Sequence, residues 1–118
     1  MAEGKRAATG VVVGKFYPPH RGHELLVTTG RDACERLVVF VCHHASQLIA
    51  GGKRAAWLRE MCPGVEVRGI PDVLADDDSE GWAAYIRREL GYVPELVFTS
   101  EAYGDPFAHH LGARHVSV

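Results

Sequence analysis

Residues 9–23 read Thr9-Gly10-Val11-Val12-Val13-Gly14-Lys15-Phe16-Tyr17-Pro18-Pro19-His20-Arg21-Gly22-His23. The short β-branched run before Gly14 is typical of a parallel strand that is buried on both faces. The two prolines cannot extend the hydrogen-bonding ladder, so they force a turn. Apolar residues then recur at helical spacing, and a helix is predicted to begin between His20 and Gly22. The stretch therefore predicts a strand, a turn and a helix in immediate succession.

The start of this helix has the chemistry of a phosphate site. The first backbone N–H groups of a helix lack intrahelical acceptors, and the helix dipole places partial positive charge there. His20 and His23 are three residues apart, so both imidazoles project from that end. Gly14 and Gly22 allow a nucleotide to approach the backbone closely, and Lys15 adds a cation. We predict His20, His23 and Lys15 as the catalytic groups.

Apolar runs and helical patterns alternate along the whole chain. The strand-like runs are residues 9–13, 37–42, 65–68, 96–98 and 115–118, and the helical patterns between them are residues 21–35, 53–61, 80–90 and 106–111. Such alternation predicts an α/β fold, a Rossmann-like doubly wound parallel sheet of five strands in the order 3-2-1-4-5 with helices on both faces. In this topology a ligand crevice forms at the carboxyl ends of the first and fourth strands. Residues 46–52, which include a Gly-Gly pair, are predicted to be a flexible loop.

Size and composition restrict the class of protein. The chain of 118 residues is predicted to form a single domain, residues 1–118, with an ordinary apolar content of 47%. It contains neither an apolar segment long enough for a membrane span nor an apolar signal-peptide core, so we expect a cytoplasmic protein. The three cysteines show no C-x-x-C spacing and are predicted to be reduced core residues.

The charges are distributed unevenly along the chain. Residues 1–59 carry nine Lys or Arg against four Asp or Glu, whereas residues 60–118 carry four against eleven. The basic half contains the predicted phosphate site, so the field favours a small anionic ligand there. A nucleic-acid partner is not expected, because the sequence has no basic stripe with interleaved aromatics and its predicted pI is 6.4. A homo-oligomer is compatible with the sequence.

Four motifs resemble a known family. The pattern G-K-F-Y-P-x-H-x-G-H at residues 14–23 is similar to the signature of NadR-type nicotinamide mononucleotide adenylyltransferase domains, in the H-x-G-H nucleotidyltransferase superfamily. Residues 54–59 (R-A-A-W-L-R) resemble its R-x-x-W-[LM] helix, residues 81–82 its G-W pair, and residues 97–101 (V-F-T-S-E) its V-[FY]-[ST]-S-E strand end. These motifs appear in the family's order and cover most of the chain.

The resemblance implies a reaction and assigns site residues. The implied reaction is transfer of AMP from ATP to nicotinamide mononucleotide, which yields NAD and pyrophosphate, with Mg2+ held mainly by substrate phosphates. Trp82 would stack on the pyridine ring, where a cationic pyridinium over an indole gains cation–π attraction. The nucleotide-binding residues would be Gly14, Phe16, Tyr17, Gly22, Arg54, Thr99, Ser100 and Glu101.

Other interpretations remain open at this stage. The family's later I-S-x-T-x-[IV]-R segment has no counterpart before Val118, so we expect the domain to lack that part of the phosphate site. A nucleotide-binding sensor without turnover, or a nucleotidyltransferase for another phosphorylated small molecule, would use the same crevice. Residues 76–78, three consecutive aspartates, more often cap and solvate a helix start than bind magnesium, so no protein metal ligand is predicted. Trp82 could equally serve as a core aromatic.

Overall fold

The computed structural model describes residues 6–101 and 104–118 of the chain. Within these residues strands and helices alternate as predicted. The strands are β1 (Ala7–Gly14), β2 (Cys34–His43), β3 (Glu66–Pro71), β4 (Leu96–Thr99) and β5 (Arg114–Ser117). The helices are α1 (Arg21–Ala33), α2 (Gly51–Met61), α3 (Ser79–Leu90) and α4 (Gly104–Leu111).

The five strands form one sheet in the order β3-β2-β1-β4-β5, and every neighbouring pair is parallel. This confirms the predicted fold class and strand order. β1 lies at the centre, where it pairs with β2 on one side and with β4 on the other. The connection after β1 leads to β2 on one side and the connection after β4 leads to β5 on the other, so the two turns diverge and leave a crevice between them.

Helices cover both faces of the sheet, as predicted. Alternate strand residues point to opposite faces, so Val12 and Val39 pack in one apolar cluster with α1 and α2, whereas Val11 and Val38 pack in the other with α3 and α4. Because both faces are covered, the central strands are apolar without alternation. All three cysteines are buried and free, in agreement with their prediction as core residues.

One local expectation was wrong. Gly51 and Gly52 form the first turn of α2 and are not part of a loop. On α1 the buried residues are Leu26, Val27 and Gly30, whereas Leu25 is 61% exposed. The Trp57 side chain on α2 is 37% exposed and lies beside the Lys53 ammonium group.

Gly10 in the central strand has no space for a side chain. A Cβ atom there would lie 2.5 Å from Cys34 Sγ and 2.9 Å from Phe98 Cε1. We therefore expect Gly10→Ala to reduce the free energy of unfolding by about 1–3 kcal/mol, the usual cost of overpacking a core. Urea denaturation followed by circular dichroism measures this change.

Gly52→Ala is the matched control, because a Cβ at Gly52 meets no atom within 4 Å. Replacing a helical glycine by alanine in open space should raise the free energy of unfolding by about 0.5–1 kcal/mol. Equal destabilisation by the two substitutions would contradict the packing account of Gly10.

Candidate functional site

A cleft of about 540 Å³ lies at the carboxyl edge of the sheet, where the sequence places the crevice. The turns after β1 and β4 form two of its walls, and α3 contributes a third. Most of the predicted site residues line this cleft, namely Gly14, Lys15, Phe16, Tyr17, His20, His23, Trp82, Ser100 and Glu101. Gly22, Arg54 and Thr99 do not.

His20 and His23 cap the amino end of α1. His20 is the N-cap residue with extended backbone, and its Nδ1 accepts a hydrogen bond from the Gly22 backbone N–H at 3.0 Å. His23 Nδ1 accepts in turn from the His20 backbone N–H at 3.1 Å. The arrangement is a capping box in which imidazoles replace the usual Ser or Thr and Glu. The two rings stack with centroids 3.8 Å apart.

This capping box determines the tautomer of both neutral imidazoles. A ring nitrogen that accepts a hydrogen bond carries no proton, so the proton of each neutral ring lies on Nε2. Each ring then offers an Nε2–H donor, and both rings line the cleft. Protonation of either Nδ1 would remove one backbone contact and place positive charge against the stacked neighbour. Burial and the neighbouring His20 accordingly lower the pKa of His23.

Phe16 and the two glycines support the histidine pair. Phe16 is buried with a backbone φ of 50°, and its ring meets the His23 ring edge-on at 4.8 Å. A Cβ at Gly14 would lie 3.1 Å from the Phe16 ring, so the glycine gives that ring its space. Gly22 does not line the cleft, and its backbone N–H donates the capping hydrogen bond to His20 Nδ1. The predicted nucleotide approach at Gly22 stays a prediction.

Lys15 reaches two acidic side chains that sequence reasoning missed. Its Nζ lies 3.8 Å from Asp72 Oδ2 and 3.6 Å from Asp76 Oδ2, and all three residues line the cleft. Asp72 follows directly on the carboxyl end of β3, so the rule that located Lys15 after β1 could have found it. Asp76 belongs to the aspartate run that was interpreted as helix capping. That interpretation is correct for Asp78, whose side chain accepts from the Gly81 N–H at 2.9 Å.

Arg54 lies in a different place from the one predicted. It is fully buried, and its guanidinium donates to the backbone carbonyls of Lys15 at 2.6 Å, Cys42 at 3.1 Å and Ile49 at 3.1 Å, and to the side chain of Gln47. A phosphate in the cleft would not reach this enclosed group without displacing those partners. The sequence missed this because an exposed and a buried helical arginine have the same pattern. Its contacts give Arg54 a structural role beneath the cleft.

Tyr17 extends the same region to the surface. Its ring lies against the Arg54 guanidinium at 5.2 Å, and its hydroxyl accepts a hydrogen bond from the Leu48 backbone N–H. The side chain remains 41% exposed and lines the cleft. Tyr17 therefore joins the turn after β1 to the loop before α2, and its ring is still available to a ligand.

Trp82 combines the core and cleft positions. The indole is 9% exposed and packs in the core cluster of α3 and α4, yet it also lines the cleft. Its Nε1–H donates to the Ala75 carbonyl at 3.0 Å, which satisfies the polar atom and fixes the plane of the ring. The core interpretation of this residue agrees with its packing, and its stacking on a pyridine ring stays a prediction.

Hydrogen bonds of the buried Thr99 hold the turn that follows β4. Thr99 is buried, and its Oγ1 accepts from the Glu101 N–H at 2.9 Å, whereas Ser100 and Glu101 face the cleft. His115 Nε2 lies 3.4 Å from the same Oγ1, and its Nδ1 lies 2.7 Å from Asp105 Oδ1. Thr99 therefore positions this turn and does not itself offer a free hydroxyl to the cleft.

The donors in the cleft suit an anionic ligand better than a bare metal ion. Within residues 6–101 and 104–118, no group of three or more His, Cys, Asp or Glu is arranged to hold a metal. Cys42 also lines the cleft, and burial together with the adjacent Asp72 carboxylate raises its pKa to about 12. The thiol is therefore protonated at neutral pH and is not an activated nucleophile.

The lowered pKa of His23 predicts a pH dependence of stability. Below an ordinary histidine pKa of about 6.5 the unfolded chain binds a proton at this position more readily than the folded chain. The His23 contribution is therefore fully present above that pH, and it decreases as the pH falls through the lower pKa of the folded state. Urea denaturation between pH 8 and pH 5 should show this loss, and the slope should be smaller for His23→Asn.

His109→Asn provides the matched control, since His109 is an exposed histidine on α4. It should retain the wild-type slope. The assignment to His23 would be wrong if His23→Asn and the wild type lost stability in parallel.

Comparisons with known proteins agree with this geometry. No protein-family model matches the chain. The chain is 26% identical, over 97% of its length, to the trifunctional NAD biosynthesis/regulator protein NadR of Escherichia coli (strain K12), and it spans about a third (33%) of that protein. No helix among the described residues is long and apolar enough to cross a membrane.

Solved structures share the fold. A crystal structure of a NadR protein in complex with NAD and AMP-PNP superposes with a TM-score of 0.65 at 16% identity, over 95% of this chain and 37% of that one. A lipopolysaccharide core biosynthesis protein from Thermoplasma volcanium superposes with a TM-score of 0.55 at 15% identity, over 94% of this chain and 97% of that one. The chain is therefore weakly similar in sequence to NadR and shares its fold with a NadR structure.

Proposed function

We propose that the chain transfers AMP from ATP to nicotinamide mononucleotide, which gives NAD and pyrophosphate. The observation that carries this proposal is one cleft that contains both a pair of Nε2–H donors at a helix start and an indole face. The first feature suits phosphates, and the second suits a flat cationic ring. Homology to NadR, a protein of NAD biosynthesis, supports the same reaction class.

In the proposed reaction a phosphate oxygen of the mononucleotide attacks the α-phosphorus of ATP. A new P–O bond forms, the bond from the α-phosphorus to the bridging oxygen breaks, and pyrophosphate leaves with its electron pair. No protein nucleophile is required, because the attacking phosphate is already an anion. Catalysis then consists of positioning and of stabilising the charge that develops on pyrophosphate.

The chain's own groups fit these two tasks. The Nε2–H donors of His20 and His23 and the partial positive charge of the α1 terminus would bind the leaving phosphates. Lys15 would add a mobile cation, since its side chain is 48% exposed. Trp82 would hold the pyridine ring, and Ser100 and Glu101, which also line the cleft, would contact the adenosine. Since the described residues form no metal cage, we propose that Mg2+ enters bound to the ATP phosphates.

The fold alone does not choose the acceptor, because it is shared with a lipopolysaccharide core biosynthesis protein. Trp82 is the residue that favours a pyridine. A nucleotide sensor would use the same cleft without turnover.

The deciding experiment incubates the protein with ATP, Mg2+ and nicotinamide mononucleotide and measures NAD and pyrophosphate. Equal amounts of both products are expected. Binding of both substrates without either product would favour the sensor.

His23→Ala should lower kcat by at least about a hundredfold, because it removes a donor to transition-state charge. Its stability must be measured in parallel, since the substitution also removes a capping contact. His109→Ala, the same substitution at an exposed site on α4, should leave kcat unchanged. A loss of less than about threefold in His23→Ala would rule out the role assigned to this imidazole.

Trp82→Ala should weaken binding of nicotinamide mononucleotide by about three- to thirtyfold, the range of a cation–π contact. Binding of ATP should change by less than about threefold. Calorimetric titration separates the two ligands, and Trp57→Ala serves as the control, because Trp57 is a surface tryptophan outside the cleft lining. Equal loss for both ligands would indicate that Trp82 acts through the core and not through the pyridine.

A further inference from the structure

Lys15 has two acidic partners in the cleft, and the phosphates of a bound nucleotide would offer it a second set of partners. Its ammonium lies between the carboxylates of Asp72 and Asp76, at 3.8 and 3.6 Å. The same side chain follows β1 directly, in the turn that leads to the histidine pair of α1. A flexible lysine can turn between an acidic and a phosphate partner, because its charge sits at the end of a four-carbon stem.

The existing ion pairs are weak enough to be exchanged. Both Nζ–Oδ2 distances exceed the usual hydrogen-bond range, and the Lys15 side chain is 48% exposed. The Lys15 backbone, in contrast, is fixed, since its carbonyl accepts from the buried Arg54 guanidinium at 2.6 Å. The side chain can therefore move without moving the turn.

The backbone near the two carboxylates has contacts that do not involve the lysine. The Asp72 N–H donates to the His43 carbonyl at 2.8 Å, which ties the residue to the end of β2. Ala75, the residue before Asp76, accepts from the Trp82 indole at 3.0 Å. The loop that carries Asp72 and Asp76 is thus attached to Trp82, the side chain that would hold the acceptor ring.

We propose that Asp72 and Asp76 hold Lys15 in the unliganded cleft and release it to the phosphates of ATP, and that they then favour a cationic acceptor. This inference rests on the proposed function. With Lys15 in place the three groups carry one net negative charge, and without it the two carboxylates carry two. A positively charged pyridinium near Trp82 then binds in a more negative field. ATP and the pyridine nucleotide therefore bind cooperatively, and the two aspartates determine specificity.

The test uses α,β-methylene ATP with Mg2+, which cannot transfer AMP, and nicotinamide mononucleotide, both titrated by calorimetry. The saturating analogue should tighten mononucleotide binding to the wild-type chain by about three- to tenfold, at the low end of known couplings. Asp72→Asn with Asp76→Asn should reduce this factor to less than about twofold. Asp77→Asn is the matched control, because Asp77 is exposed in the same loop and does not line the cleft.

A second measurement tests the exchange of Lys15 without the acceptor. The double aspartate variant should bind the ATP analogue about threefold more tightly than the wild type, since Lys15 no longer has to leave its partners. In a Lys15→Met background the same double substitution should have no such effect. An equal gain in both backgrounds, or an equal gain in Asp77→Asn, would overturn the exchange.

The two measurements separate the inference from the function it rests on. If the Lys15-dependent gain appears but the wild type binds no mononucleotide, the pyridine assignment fails and the exchange of Lys15 stands. If mononucleotide binds and the analogue does not tighten it, the coupling is wrong while the proposed reaction remains.

Discussion

The position of the cleft depends on a buried guanidinium. Arg54 is fully enclosed and carries a charge that proteins do not neutralise by deprotonation, so every uncompensated donor would be costly. Its donors reach the turn after β1, the end of β2 and the loop before α2. These three segments meet at the carboxyl edge of the sheet. One side chain thus sets the relative position of the segments that form the floor of the site.

The fold could be predicted because it depends on a strong local signal. Unbroken β-branched runs alternate with helical patterns, and a parallel sheet has few ways to connect them. The helix bounds at α2 were less accurate, since Gly51 and Gly52 have a loop composition. Gly51 leaves room for β2 at the start of the helix, since a Cβ there would lie 2.5 Å from the Cβ of His43, and this contact cannot be read from the local sequence.

The site was partly predictable for the same reason. Residues that follow a strand directly, such as Lys15 and Ser100, are located by topology alone, and both line the cleft. Arg54 and Asp76 were placed less well, because burial and ion pairing depend on the three-dimensional contacts of the side chain. The charge of each side chain can be read from the sequence, whereas its ionic or hydrogen-bonding partner depends on how the chain packs. Asp72 satisfies the topological rule and was missed because its loop was interpreted by composition.

The paired histidines carry a consequence for how this site can change. In many proteins a binding group sits in a strained or unsatisfied environment, so improved function and improved stability oppose each other. Here the Nδ1 atoms of His20 and His23 complete the hydrogen bonding of the helix, while the same two rings line the cleft. If the cleft binds phosphates as proposed, selection for a well-folded helix and selection for anion recognition act on the same two side chains in the same direction.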